Sequence, residues 1–91
     1  MNKRTPVDLE ITYRDGRPRL GYLHLSDPGE KSEHCWRVSP EMIIDLSKDG
    51  QIIGIELLDP GRVTLKAIND LLEQYGQEPL KESDLAPILA A

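Results

Sequence analysis

The stretch Met42–Leu58, MIIDLSKDGQIIGIELL, decides the fold, because its turn chemistry and its hydrophobic alternation agree on a β-hairpin. Asp49-Gly50 tolerates positive φ at both central positions of a tight two-residue turn, whose twist matches paired strands. That loop sets Lys48 opposite Gln51, Leu46 opposite Ile53, Ile44 opposite Ile55 and Met42 opposite Leu57, so these apolar side chains share one face. The other face carries Ser47 with Ile52, Asp45 with Gly54 and Ile43 with Glu56, a mixed and partly wet surface. A one-residue slip would set core positions opposite polar ones.

The same residues spell a second pattern. Asp45-x-Ser47-x-Asp49-Gly50-x-Ile52-x-x-x-Glu56 matches the calcium loop of an EF-hand, in which oxygen ligands alternate, glycine makes the bend and a final glutamate chelates. Such a loop works between two helices. Here Pro40 stands just upstream, Pro60 would break an exiting helix, and IIGIELL is β-branched and strand-like. Asp45, Ser47, Asp49 and Glu56 are therefore candidate metal ligands whose duller reading is acidic decoration of a hairpin.

Ile43–Leu58 resembles the signature of a family of small prokaryotic domains of unknown function, family twenty-two eighty-three, in which a V-D-x-D-x-x-G-x-[IV]-V-G-I-E-[IL]-L block closes the domain. The likeness extends back to Gly21–Ser26, GYLHLS, which looks like that family's second strand. The family's tyrosine-aspartate start and acidic turn are replaced here by Tyr13-Arg14-Asp15-Gly16-Arg17-Pro18. The resemblance implies a small antiparallel β-meander and brings no activity and no catalytic residues. Some relatives are encoded beside toxin genes, so it also admits a regulatory role as the partner of a toxin-like neighbour.

Ninety-one residues suit one domain, 1–91, with a sheet over about 6–58, a helix over about 63–75 and an apolar C-terminal segment over 80–91. One tryptophan and no phenylalanine leave the core to leucine and isoleucine. A net charge of −5 argues against non-specific binding to nucleic acid and against an anionic membrane surface. Cys35 is the single cysteine, so no intrachain disulfide is expected and a reducing cytoplasm is the natural home. MNKRTPVDLEI lacks the apolar segment of a signal peptide, and no uncharged apolar run approaches the roughly 20 residues of a membrane span.

Upstream of the central hairpin, Val7, Leu9, Ile11 and Tyr13 alternate with polar residues as a first strand. At Asp15-Gly16 a two-residue loop would align Leu20 and Tyr22 with the apolar face, and a three-residue loop with a glycine bulge would align Leu23 and Leu25. The second is preferred. Arg19–Ser26 is then the second strand, with Gly21 marking a bulge or a close backbone approach. After the connector Asp27-Pro28-Gly29-Glu30-Lys31, a third strand runs from Ser32 to Val38, kinks at Ser39-Pro40 and resumes at Met42. Trp36 shares a face with His34 and Val38, as a core or rim anchor or as an interface hot spot.

Beyond Asp59-Pro60-Gly61 the period changes. Leu65, Ile68, Leu71, Leu72 and Tyr75 form one helical stripe, with Lys66, Asn69, Asp70, Glu73 and Gln74 outside, Thr64 as N-cap and Gly76 as stop. A short helical segment opens at Ser83 and is limited by Pro87. Leu80, Leu85, Ile88 and Leu89 are too apolar for a free tail, and are expected on the sheet, the helix or a neighbouring chain.

Candidate chemistry is sparse. His24, His34 and Cys35 are the side chains suited to a soft metal, and neighbouring strands could bring the histidines together; His34 and Cys35 point to opposite faces. Asp45 and Glu56 share the open face of the hairpin, with Asp8 and Glu10 as a second acidic row. Arg14, Arg17 and Arg19 form a basic patch around the first turn. No glycine-rich phosphate loop precedes a helix.

The expected architecture is α+β, a four-stranded antiparallel meander packed by a C-terminal amphipathic helix and a short terminal helical segment. The expected role is a non-catalytic cytoplasmic interaction or regulatory module without cofactor, a homodimer or a partner of another small protein, with Trp36, Leu85, Ile88 and Leu89 as interface candidates. The alternative is a ligand- or metal-binding domain using the acidic hairpin or the His/Cys residues.

Overall fold

The computed structural model describes residues 8–26 and 31–86, in which the period-two segments become five antiparallel strands. These are β1 (Asp8–Arg14), β2 (Arg17–His24), β3 (His34–Ser39), β4 (Met42–Leu46) and β5 (Ile52–Leu57), ordered β1-β2-β5-β4-β3 across one sheet. Val7 of the expected first strand, residues 27–30 of the connector, and Pro87, Ile88 and Leu89 of the tail lie outside the described residues.

The expectation of four strands is corrected at Ser39-Pro40. Proline is excluded from a central ladder but suits the second position of a tight turn, and the Ser39 hydroxyl accepts the Glu41 N–H at 3.2 Å. Ser39 then faces Met42, so β3 folds back on β4 instead of continuing into it. The single meander is corrected too. β5 pairs with β2, which joins a β1–β2 hairpin edge to edge with a β3–β4–β5 meander.

The two Asp-Gly turns exchange the loop lengths expected of them. Asp15 and Gly16 both have positive φ, at 54° and 75°, and close a two-residue turn with Arg14 opposite Arg17. A bulge then leaves Arg19 unpaired beside Pro18, which has no N–H for the ladder. The shift faces Leu9 with Leu23, so Leu23 and Leu25 enter the core as preferred, by a different route. At the central hairpin only Gly50 has positive φ. Gly50 N–H donates to Ser47 O at 3.0 Å and Ser47 N–H to Gln51 O at 2.8 Å, closing a loop of Lys48, Asp49 and Gly50. Met42, Ile43, Ile44 and Asp45 keep the expected partners, but Leu46 faces Ile52, with Ile53 the extra residue.

One cluster joins Leu23, Ile44, Ile55 and Leu57 of the sheet to Ile68, Leu71 and Leu72 of α1 (Leu65–Gln74). Each such side chain, fully buried, stabilises by about 1.5–3 kcal/mol. Thr64 caps the helix, its hydroxyl accepting the Ala67 N–H at 3.1 Å, and Gly76 at φ 69° ends it. Asn69, expected outside, instead grips the chain beyond the helix: its amide accepts from Leu80 N–H at 2.7 Å and donates to Leu80 O at 3.2 Å. Leu80 and Leu85 are buried in the same cluster, Leu85 from a 3₁₀ turn at Glu82–Leu85. Leu85 is thus corrected from interface candidate to core residue.

Candidate functional site

The bulge at Arg19 determines which side chains meet on the face of the sheet away from α1. With the register shifted, Asp8 stands opposite His24, Glu10 opposite Tyr22, Tyr22 opposite Glu56, and Gly54 opposite both His24 and Asp45. A polar row therefore crosses four strands. Its centre is Tyr22, whose ring crosses β5 over Gly54. A Cβ at position 54 would lie 2.7 Å from Tyr22 Cε1 and closer still to Cζ and the hydroxyl, so only glycine admits the ring.

Across that gap the Tyr22 hydroxyl donates to Asp45 Oδ2 on β4 at 2.6 Å. Burial first, then this hydrogen bond and the negative charges of Asp45 and Glu56, hold the phenol well above its usual range. On the other side the Tyr22 and His24 rings pack at 4.6 Å between centroids, tilted by 60°. His24 Nε2 meets Glu10 Oε1 at 2.5 Å. One donor atom each from Asp8, Glu10 and His24 lie within 4.8 Å of one another. Among the described residues, no lysine or arginine pairs with Asp8, Glu10, Asp45 or Glu56.

The calcium-loop residues occupy a strand–turn–strand. Asp45 is engaged by Tyr22, the buried Ser47 accepts the Gln51 N–H at 3.2 Å, Asp49 lies in the turn and Glu56 on β5. The two histidines are not neighbours, because β5 and β4 separate β2 from β3. Cys35, an exposed free thiol, faces Asp45, while His34 faces Leu46 on the apolar side. Arg14, Arg17 and Arg19 line a concavity with Asp15 and Asp59 at the first turn. The Asp8–Glu10–His24 group and the Tyr22–Asp45 bridge were missed by sequence reasoning. Gly54, a glycine inside a strand, was the available signal for a close approach there.

The sheet edge formed by β3 is the second candidate surface. His34 to Val38 are all exposed, Trp36 at 60 % and Val38 at 41 %. Trp36 faces Ile44 on the apolar side, beyond the cover of α1, and Val38 lines a groove with Met42, Ala67 and Leu71.

β2 through β5, with the Gly54 gap and the exposed β3 edge, form the segment that carries most of this geometry. Residues 21–59 match the family described as protein of unknown function DUF2283. The DUF2283 segment thus holds His24, Tyr22, Asp45 and Trp36, whereas Asp8, Glu10 and α1 lie outside it. No curated protein and no solved structure matches the chain significantly. Among the described residues, no helix is long and apolar enough to cross a membrane.

Proposed function

We propose that the protein is a small non-catalytic interaction module of the cytoplasm that forms a homodimer by pairing β3 with β3 of a second copy. The observation that carries the reading is the β3 edge: a strand that, among the described residues, has one neighbouring strand and exposes Trp36 and Val38. Unpaired strand edges recruit further strands unless charge or proline blocks them; His34–Ser39 holds no proline and no carboxylate, and its one fully charged side chain, Arg37, lies on the face opposite Trp36. Two acidic chains therefore meet there with little charge repulsion. The free thiol of Cys35 supports a reducing compartment.

An antiparallel pairing centred on Trp36 sets the two tryptophans opposite each other and continues both apolar faces into one. It places Cys35 opposite Arg37 of the second copy and keeps the two Arg37 side chains apart. Directly opposed residues have Cβ atoms about 4.5–5.5 Å apart, within reach of a disulfide after small adjustment. Arg37→Cys is therefore expected to give covalent dimers under mild oxidation, through Cys35 of one copy and the introduced thiol of the other. A variant that oxidises no faster to dimer than the wild type would overturn this pairing.

A further inference from the structure

We propose that Asp8, Glu10 and His24 form a binding site for a borderline divalent cation, with Zn²⁺ the best fit, on the open face of the β1–β2 hairpin. The site is independent of the β3 interface. Its geometry comes from three features of the fold. Alternation puts Asp8 and Glu10 on one face of β1, the Arg19 bulge sets His24 directly opposite Asp8, and the Tyr22 ring backs the imidazole. The donor atoms already lie within 4.8 Å of one another.

A zinc ion bound at about 2.0–2.2 Å draws tetrahedral donors to roughly 3.4 Å apart. Asp8 and Glu10 are exposed at the rim of the sheet and have the rotamer freedom to close that distance. One imidazole and two carboxylates suit zinc better than calcium or magnesium, which take oxygen donors, and leave positions open to water.

The charge of this face favours a cation as well, although Glu10 is already in contact with His24. Asp8, Glu10, Asp45 and Glu56 place four carboxylates on one sheet face, and among the described residues no lysine or arginine pairs with any of them. Like charges on adjoining positions destabilise a sheet. A divalent ion between Asp8 and Glu10 removes part of that repulsion. His24 lies within the DUF2283 segment and both acids lie outside it on β1, so the site joins that segment to the strand that precedes it.

The test is calorimetric titration of the full chain with Zn²⁺, followed in parallel by the His24 imidazole resonances. One ion per chain is expected, with His24 shifted. His24→Gln and Asp8→Asn should each weaken binding roughly tenfold or more, at unchanged circular dichroism. Absence of binding, or an affinity untouched by His24→Gln, would overturn the proposal. The same holds if the affinity is lost in Cys35→Ser instead, which would move the ion to His34 and Cys35 on β3.

Discussion

Gly54 and Tyr22 form one unit at the residue scale, since the glycine exists on β5 to let the ring pass to Asp45. Alanine in a strand is ordinarily favoured over glycine by roughly 0.5–1 kcal/mol. Here Gly54→Ala is expected to destabilise by about 1–3 kcal/mol, because the new methyl displaces the ring. In a Tyr22→Ala background the same change should become neutral or stabilising, and a double-mutant cycle from urea unfolding reads the coupling. Equal costs in both backgrounds would separate the two residues. Tyr22 also gives the protein a defined alkaline weakness. Below about pH 10 the phenol is protonated whether the chain is folded or unfolded, and its contribution is fully present. Above that the unfolded phenol ionises while the folded one, held high by burial and by Asp45, does not, so stability falls as pH rises. Tyr22→Phe should flatten that fall. An unchanged slope would place its origin elsewhere. The strand position of Tyr22 was legible in the sequence, but its partner was not, since Asp45 lies 23 residues away and is reached across an intervening strand.

Elements were legible where one signal dominated. The α1 stripe, its Thr64 cap and its Gly76 stop follow from period and capping chemistry, and the core face of β4 follows from its pairing with β5. Turn lengths were harder, because Asp-Gly serves both a two-residue turn and the end of a longer loop. A bulge on each hairpin then changed the register: the one at Arg19 is marked in the sequence only by Pro18 beside it, and the one at Ile53 by nothing. Ser39-Pro40 reads equally as kink or turn, and only the pairing of β3 back onto β4 separates them. Asn69 shows how a residue on the polar side of a helix can hold another element. Asn69→Ala leaves both backbone groups of the buried Leu80 without their partners and should cost about 1–3 kcal/mol, with faster amide exchange from Leu80 to Leu85. Unchanged exchange there would mean that packing of Leu80 and Leu85 alone holds the segment.

At the scale of the whole molecule, the strand order β1-β2-β5-β4-β3 leaves two edges of different character. The β1 edge carries Asp8, Glu10 and Arg14 and is approached by the turn at Glu82–Leu85, whereas the β3 edge presents Trp36 and Val38 beside Arg37. Trp36 reads in the sequence as a core or rim anchor or as an interface hot spot; its exposure on an edge strand was not legible, because that required knowing that β5 pairs with β2. A 91-residue chain buries a modest core, and continuing the sheet through β3 would cover the apolar rim that α1 leaves open. Native mass across a dilution series, for wild type and Trp36→Ala, tests that continuation most directly. A dimer for the wild type and a folded monomer for Trp36→Ala are predicted. A wild-type chain that stays monomeric at every concentration, or a dimer that Trp36→Ala leaves intact, would contradict pairing through β3.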